Sequence, residues 1–223
     1  MYKYLLFDAD NTLLDFNASE EQALKETLSM FPLEFTKEVY KRYHDINDHL
    51  WKRLERGETT REKLRIDRFV QLYDEFGMNG ELHGKDTADI YAEKLSGQGI
   101  MIDGALEVLS ALSEKYSCYI ITNGTYEIQI KRLSKTPVEK YVKYSFISEK
   151  MGCAKPDKVF FDKVVEYIDD SDLSKYLVIG DSLTSDIKGA VNSGIDSVLI
   201  SKERSDMPTY CIKEIRELFS ILK

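Results

Sequence analysis

Histidine is scarce in this 223-residue chain. There are three, His44, His49 and His83, all between positions 40 and 85. A serine or cysteine nucleophile with a histidine base, or a histidine-rich zinc site, would have to draw on that one segment. Ordinary helical histidines explain them as well. Cysteine is sparse too: Cys118, Cys153 and Cys211 are far apart, odd in number and form no C-x-x-C pair. That pattern excludes a disulfide framework and points to reduced thiols in the cytoplasm. Four prolines and 12 glycines leave little room for long linkers. No apolar run approaches the ~20 residues that span a bilayer, and MYKYLLFDAD meets an acid too early for a signal peptide. Excess basic charge is also missing. The formal net charge is −8, and residues 17–97 and the remainder each carry −4. A nucleic-acid polymer or a membrane surface is therefore not the expected partner. Neither G-x-x-x-x-G-K-[ST] nor G-x-G-x-x-G occurs, which removes P-loop and dinucleotide readings.

What is present is an alternation of short apolar runs with amphipathic stretches. Tyr4–Phe7, Cys118–Ile121, Tyr144–Ile147, Leu177–Ile179 and Ser197–Ile200 read as buried strands. Between them, Ala105, Leu106, Val108, Leu109 and Leu112 form one helical stripe, and Val159, Phe160, Val164, Val165 and Ile168 form another opened by Pro156. This predicts an α/β fold, a Rossmann-like parallel sheet with helices on both faces. Residues 17–97 break the alternation with four helical patterns, near 17–31, 34–55, 59–76 and 83–95, punctuated by glycines. The expected organisation is a core of 1–16 and 98–223 with an inserted all-helical domain at 17–97.

Four segments carry candidate chemistry, each where a predicted strand ends. In FDADNTLLDF, Asp8 and Asp10 lie two apart and project to the same side. Two close carboxylates need a compensating cation, and Mg²⁺ suits oxygen ligands. In ITNGT, the Thr122 hydroxyl and the backbone N–H groups of Asn123 and Gly124 can hold phosphate oxygens. In GCAKPDKVFFD, Lys155 can offset phosphate charge. In VIGDSLTSDIKGA, Asp181 suits direct metal contact, and Asp186 suits support through water or a bond to Lys155. Each has an ordinary explanation alone: an acidic turn, an N-cap, a surface lysine, acids near a helix start. Together they form the inventory of phosphoryl transfer through an aspartyl-phosphate, gathered at one edge of a parallel sheet.

The ordered set resembles the haloacid dehalogenase-like (HAD) hydrolases along the whole chain. FDADNTLLDF is similar to their first motif, Thr122 to the second, Lys155 to the third and GDSLTSD to the fourth. The resemblance implies that Asp8 is the nucleophile and Asp10 the general acid/base. It implies that Asp8, the Asp10 carbonyl and Asp181 hold Mg²⁺, that Thr122, Asn123 and Lys155 bind phosphate, and that Asp186 supports the site. The inserted helices resemble a cap. ISEKMGCAKPDKVFFD, IGDSLTSDIKGAVNSGID and INDHLWKRLERGETTREKL with Arg68-Phe69 resemble the bacterial pyrimidine 5′-nucleotidases of the superfamily. Asn11 stands where many relatives have glycine or an acid.

The expected partner is a small phosphorylated metabolite, a nucleoside monophosphate, handled by a monomer or homodimer. A sugar-phosphate phosphatase or phosphomutase is the alternative, with His44, His49 or Lys52 available as a ring base. A phosphonate hydrolase would need a cap lysine. Dehalogenases of the family lack the second aspartate, and Asp10 argues against them. A receiver-like phosphorylated switch shares the acidic pair, hydroxyl and lysine but has no cap and about half the length. In the cap, Asn47, Trp51 and Arg68 are candidate substrate contacts. Phe16, Phe31, Tyr43, Trp51, Phe69 and Tyr73 offer either a base-stacking surface or helical core.

Overall fold

The computed structural model describes residues 1–222. In chain order its elements are β1 (Tyr4–Phe7), α1 (Phe16–Leu28), α2 (Lys37–Glu55), α3 (Arg61–Glu75), α4 (Gly80–Ser96) and α5 (Ala105–Ser113), then β2 (Ser117–Thr122), α6 (Tyr126–Ser134), β3 (Ser145–Ile147), α7 (Ser148–Met151) and α8 (Lys158–Ile168). β4 (Tyr176–Gly180), α9 (Lys188–Ser193), β5 (Asp196–Ile200), β6 (Tyr210–Ile212) and α10 (Leu218–Ile221) complete the series. The chain divides into two compact units, Met1–Phe16 with the segment from Gly99 onward, and Asn17–Gln98.

The first unit holds a six-stranded sheet in the order β3-β2-β1-β4-β5-β6. Every pairing is parallel. β1 is central because it is apolar on both faces, and its alternate residues feed two cores. Leu5 and Phe7 join Ile120, Leu177 and Ile179 against Val108, Leu109 and Leu112 of α5 and Leu218 of α10. Leu6 joins Ile121, Phe146 and Val178 against Phe160, Phe161 and Val164 of α8. The register pairs Phe7 with Ile120 on one side and with Ile179 on the other. The residues that follow β1, β2 and β4 are thereby brought to one edge.

The second unit is all helix. α2 turns Val39, Tyr43, Ile46 and Leu50 to its interior, at the spacing of one helical face. Leu64, Phe69, Leu72 and Tyr73 of α3 and Ala88, Tyr91 and Leu95 of α4 complete the core. Tyr43, Phe69 and Tyr91 meet with ring centroids 5.3–5.5 Å apart.

Several sequence expectations need correction. Pro156 does not open α8: Asp157 is the N-cap, its side chain accepting from Val159 N, and the helix starts at Lys158. Thr36 caps α2 by accepting from Val39 N, so that helix starts at Lys37 and not near residue 34. Asn79 caps α4, which begins three residues before the expected His83. β6 went unpredicted. It lies at the sheet edge with Cys211 exposed, and its apolar run is only three residues long. Tyr43, Phe69 and Tyr73 are fully buried and serve as helical core, so they offer no open ring for a base. Phe16, Phe31 and Trp51 are half-buried. Among the described residues no helix is long and apolar enough to cross a membrane.

Candidate active site

The site is built on the edge just described. Asp8 continues β1 by donating its N–H to Ile179 O at 2.8 Å. This buries the residue, which is only 6 % exposed. The chain then turns sharply. Leu13 N and Leu14 N both donate to Ala9 O, Asn11 N donates to Leu14 O, and Asn11 holds φ at 56°. Asparagine tolerates that left-handed conformation better than most side chains, and glycine better still. The Asn11 Oδ1 accepts from Phe16 N at 3.1 Å and closes the turn.

Lys155, 2 % exposed, is the hub. Its Nζ donates to Asp8 Oδ1 at 2.6 Å, to Asp186 Oδ1 at 2.6 Å and to Ile121 O at 2.9 Å. An ammonium has three hydrogens, and all are used. Burial pulls the Lys155 ammonium down, but the Asp186 and Asp8 charges outweigh it and hold the group above the ordinary lysine range. Asp186 sits in a π-helical turn, Leu183–Ile187, which Ser182 caps by accepting from Ser185 N. Asp186 Oδ2 also accepts from Ser182 N at 3.1 Å. Gly180 is required here, because a Cβ would stand 2.2 Å from Asp186 Oδ2.

Asp8, Asp181 and Asp186 can each bring a carboxylate oxygen within 4.8 Å of the others. One lysine does not balance three carboxylates. Burial, then the Asp186, Asp181 and Asp10 charges, push the Asp8 carboxyl well above its ordinary range against the pull of Lys155. Burial, then Asp186, raise Asp181 to about 7. The surplus of negative charge on oxygen donors is what a divalent cation such as Mg²⁺ relieves. Both Asp186 oxygens already accept from protein donors, which leaves Asp8 and Asp181 as the side chains best suited to a metal.

Thr122 ends β2 and is buried. Its Oγ accepts from Gly124 N at 3.1 Å and from Gln129 Nε2 at 2.8 Å. Asn123 acts through its side chain as well as its backbone: Nδ2 donates to Lys155 O at 2.8 Å, and Oδ1 accepts from Lys155 N at 3.0 Å. This reciprocal pair ties the ITNGT turn to the Lys155 loop. Asp10 accepts from Gln129 Nε2 at 2.8 Å and pairs closely with Arg132 Nη1. Sequence reasoning missed Gln129 and Arg132. On an exposed-looking helix they read as surface polar residues, yet each is 1 % exposed.

The remaining candidates lie in the helical unit. Asn47 and Arg68 are buried and bonded to each other, Arg68 Nη1 to Asn47 Oδ1 at 3.0 Å. Asn47 Nδ2 donates to Glu20 Oε1 at 2.9 Å, and Glu20 Oε2 meets His44 Nδ1 at 2.7 Å. Arg68 also lies over Tyr91, 4.6 Å from its centroid. Trp51 is half-buried on α2 and stands outside this network.

A family model for haloacid dehalogenase-like hydrolases matches residues 2–194. The chain belongs to the HAD-like hydrolases. Pyrimidine 5′-nucleotidase PynA of Streptococcus pneumoniae is 37% identical over 99% of this chain and 95% of its own length. The HAD-hydrolase YfnB of Bacillus subtilis is 36% identical over the same shares. A magnesium-bound crystal structure of YfnB superposes with a TM-score of 0.92 over 99% of this chain and 98% of that one. Pyrimidine 5′-nucleotidase YjjG of Escherichia coli is 28% identical over 99% of this chain and 98% of its own length. This HAD-like hydrolase thus carries its four motif segments on the fold that the motifs imply.

Proposed function

We propose that the protein is a Mg²⁺-dependent phosphomonoester hydrolase that works through an aspartyl-phosphate on Asp8 and acts on nucleoside 5′-monophosphates, pyrimidine ones foremost. One observation carries the chemistry: a buried carboxylate, Asp8, at the mouth of the central strand, bonded to Lys155 and surrounded by surplus carboxylate charge. The similarity to PynA and YjjG supports the substrate class.

Asp8 attacks phosphorus in line, and the bond to the ester oxygen breaks. Asp10 acts as the general acid towards the leaving alcohol. It then takes a proton from the water that hydrolyses the aspartyl-phosphate. The Thr122 hydroxyl donates to an equatorial oxygen, the Lys155 ammonium beside Asp8 offsets phosphoryl charge, and Asn123 fixes the loop that carries Lys155. Asp186 holds the ammonium in place. Asp8, the Asp10 carbonyl and Asp181 would hold Mg²⁺, which when bound offsets carboxylate and phosphoryl charge. Choice of leaving group is assigned to the helical unit, where half-buried Trp51 remains the candidate, since Asn47 and Arg68 are buried and bonded to each other. A cytoplasmic protein fits the three free thiols.

The test is phosphate release from a panel of nucleoside monophosphates, sugar phosphates and phosphoglycolate, with Mg²⁺, with EDTA, and with Asp8→Asn as the blank. Mg²⁺-dependent preference for UMP, dUMP or dTMP is expected. Preference for a sugar phosphate would keep the core chemistry and overturn the substrate.

A further inference from the structure

Gln129 and Arg132 form a closed polar bracket in the first unit, behind the residues assigned to acid/base and phosphate roles. The Gln129 amide nitrogen has two hydrogens. One goes to Asp10 Oδ2 at 2.8 Å and one to Thr122 Oγ at 2.8 Å. The Gln129 carbonyl accepts from Arg132 Nη1 at 3.0 Å, and the other Nη1 hydrogen goes to Asp10 Oδ1. The amide has one workable orientation. Turned over, its oxygen would face the Asp10 carboxylate and its nitrogen the guanidinium, setting acceptor against acceptor and donor against donor.

Two consequences follow by counting. Thr122 Oγ accepts from both Gly124 N and Gln129 Nε2, so both lone pairs are taken. Its own hydrogen is all it has left to offer, which makes it a one-way donor suited to an anion. Arg132 is a buried cation whose Nε and Nη2 have no hydrogen-bond partner among the described residues. Among the described residues its ion-pair partner is Asp10, and its guanidinium lies over Phe16, 5.4 Å from the ring centroid. Moving Asp10 away would strand that charge, which is costly. Gly124 makes room for the bracket: a Cβ there would stand 2.5 Å from Gln129 Cγ.

We propose that Gln129 and Arg132 are positioning residues: Gln129 locks the Asp10 carboxylate and the Thr122 hydroxyl into one fixed geometry, and Arg132 anchors Asp10 in it. The proposal rests on the phosphatase reading above. Neither residue is assigned contact with the reacting atoms. The effect of Arg132 on the first chemical step runs through proton delivery by Asp10, as does the larger part of the Gln129 effect, so both depend on how much the leaving group needs a proton.

The experiment is single-turnover release of the alcohol with enzyme in excess, which reads the first step alone. UMP, with a poor alkoxide leaving group, is compared with p-nitrophenyl phosphate, with a good one. The proteins are wild type, Gln129→Met, Arg132→Met and Arg132→Lys, each also in an Asp10→Asn background. Losing one oriented hydrogen bond corresponds to roughly tenfold in rate. Gln129→Met should therefore slow uridine release about tenfold and p-nitrophenol release less than about threefold. Arg132→Met should slow uridine release more, and Arg132→Lys should recover part of the loss. In the Asp10→Asn background the Arg132 variants should add nothing, and the Gln129→Met loss should shrink to the part that runs through Thr122. Equal losses with both esters, or undiminished losses in the Asp10→Asn background, would overturn the proposal while leaving the phosphatase intact. Should Arg132→Met fail to fold, near-isosteric Gln129→Met carries the same test. A wild type that releases neither alcohol would overturn the phosphatase reading and this proposal with it.

Discussion

Each unit buries a polar network, and the two are built to opposite ends. In the α/β unit, Asp8, Asp181 and Asp186 surround a single ammonium, Lys155. In the helical unit, one carboxylate, Glu20, is joined to one guanidinium, Arg68, through the Asn47 amide, with His44 on the other oxygen. In the second, Glu20 and Arg68 offset each other and the Asn47 amide is used on both sides, which ties α1, α2 and α3 together. The first is left with surplus negative charge, so burial and like-charge repulsion raise Asp8 and Asp181. A balanced buried network belongs to the fold, whereas an unbalanced one is completed by what it binds.

The largest effect that separates them is on chemistry. Asp8→Asn should cut phosphate release on the order of a thousandfold or more, with an unchanged far-ultraviolet circular dichroism spectrum. Lys155→Met should come next. It removes the one cation from two buried carboxylates and half-buried Asp181, and should cost about 3–5 kcal/mol in urea unfolding with EDTA present. Excess Mg²⁺ should return part of that loss.

Asp181 sharpens the comparison through pH. Its folded-state value of about 7 lies above the ordinary 3.8, so the native state keeps a proton that the unfolded state has lost. Without metal, this contribution to stability is present below pH 4 and fades as pH rises towards 7. Asp181→Asn should flatten that slope in EDTA and diminish the stabilisation by Mg²⁺. Thermal melts between pH 4 and 8 check both.

The helical network should respond more mildly and without reference to metal. Arg68→Met leaves the buried Asn47 carbonyl without its donor, at about 1–3 kcal/mol. The Mg²⁺-induced rise in melting temperature should be unchanged. If that rise disappeared, the two networks would not be separable in this way. The smallest effect concerns His44. Its hydrogen bond to Glu20 raises it above the ordinary 6.5. Its stabilising contribution is full below that ordinary value and is lost as pH climbs through the raised one. Glu20→Gln should bring the His44 midpoint down, read by NMR titration of the ring.

The same contrast explains what could be read from the sequence. Asp8, Thr122 and Asp181 stand at the ends of apolar strands, where a polar residue stops a buried run and a parallel sheet gathers such ends on one edge. Five of the six strands were therefore legible, along with the residues that follow them. Lys155 gains its meaning only in company with them. Glu20, Asn47, Arg68, Gln129 and Arg132 lie on amphipathic helices, where a polar side chain pointing inward has the same one-dimensional pattern as one facing water. Their burial, at 4 % exposure or less, is decided by neighbours far away in the chain. β6 escaped for a different reason: its apolar run, Tyr210-Cys211-Ile212, is only three residues long, and at the sheet edge only Ile212 is buried.

The central claim is that the unbalanced network exists to make Asp8 a nucleophile. Its most direct test is mass spectrometry of peptides from Asp10→Asn protein, acid-quenched during turnover of p-nitrophenyl phosphate, whose leaving group needs no proton, with Mg²⁺. Loss of the base that activates water should let the intermediate accumulate. The account predicts one phosphoryl group on the peptide containing Asp8, absent from Asp8→Asn protein treated alike. A phosphoryl group on any other residue, or turnover that continues in Asp8→Asn, would contradict it.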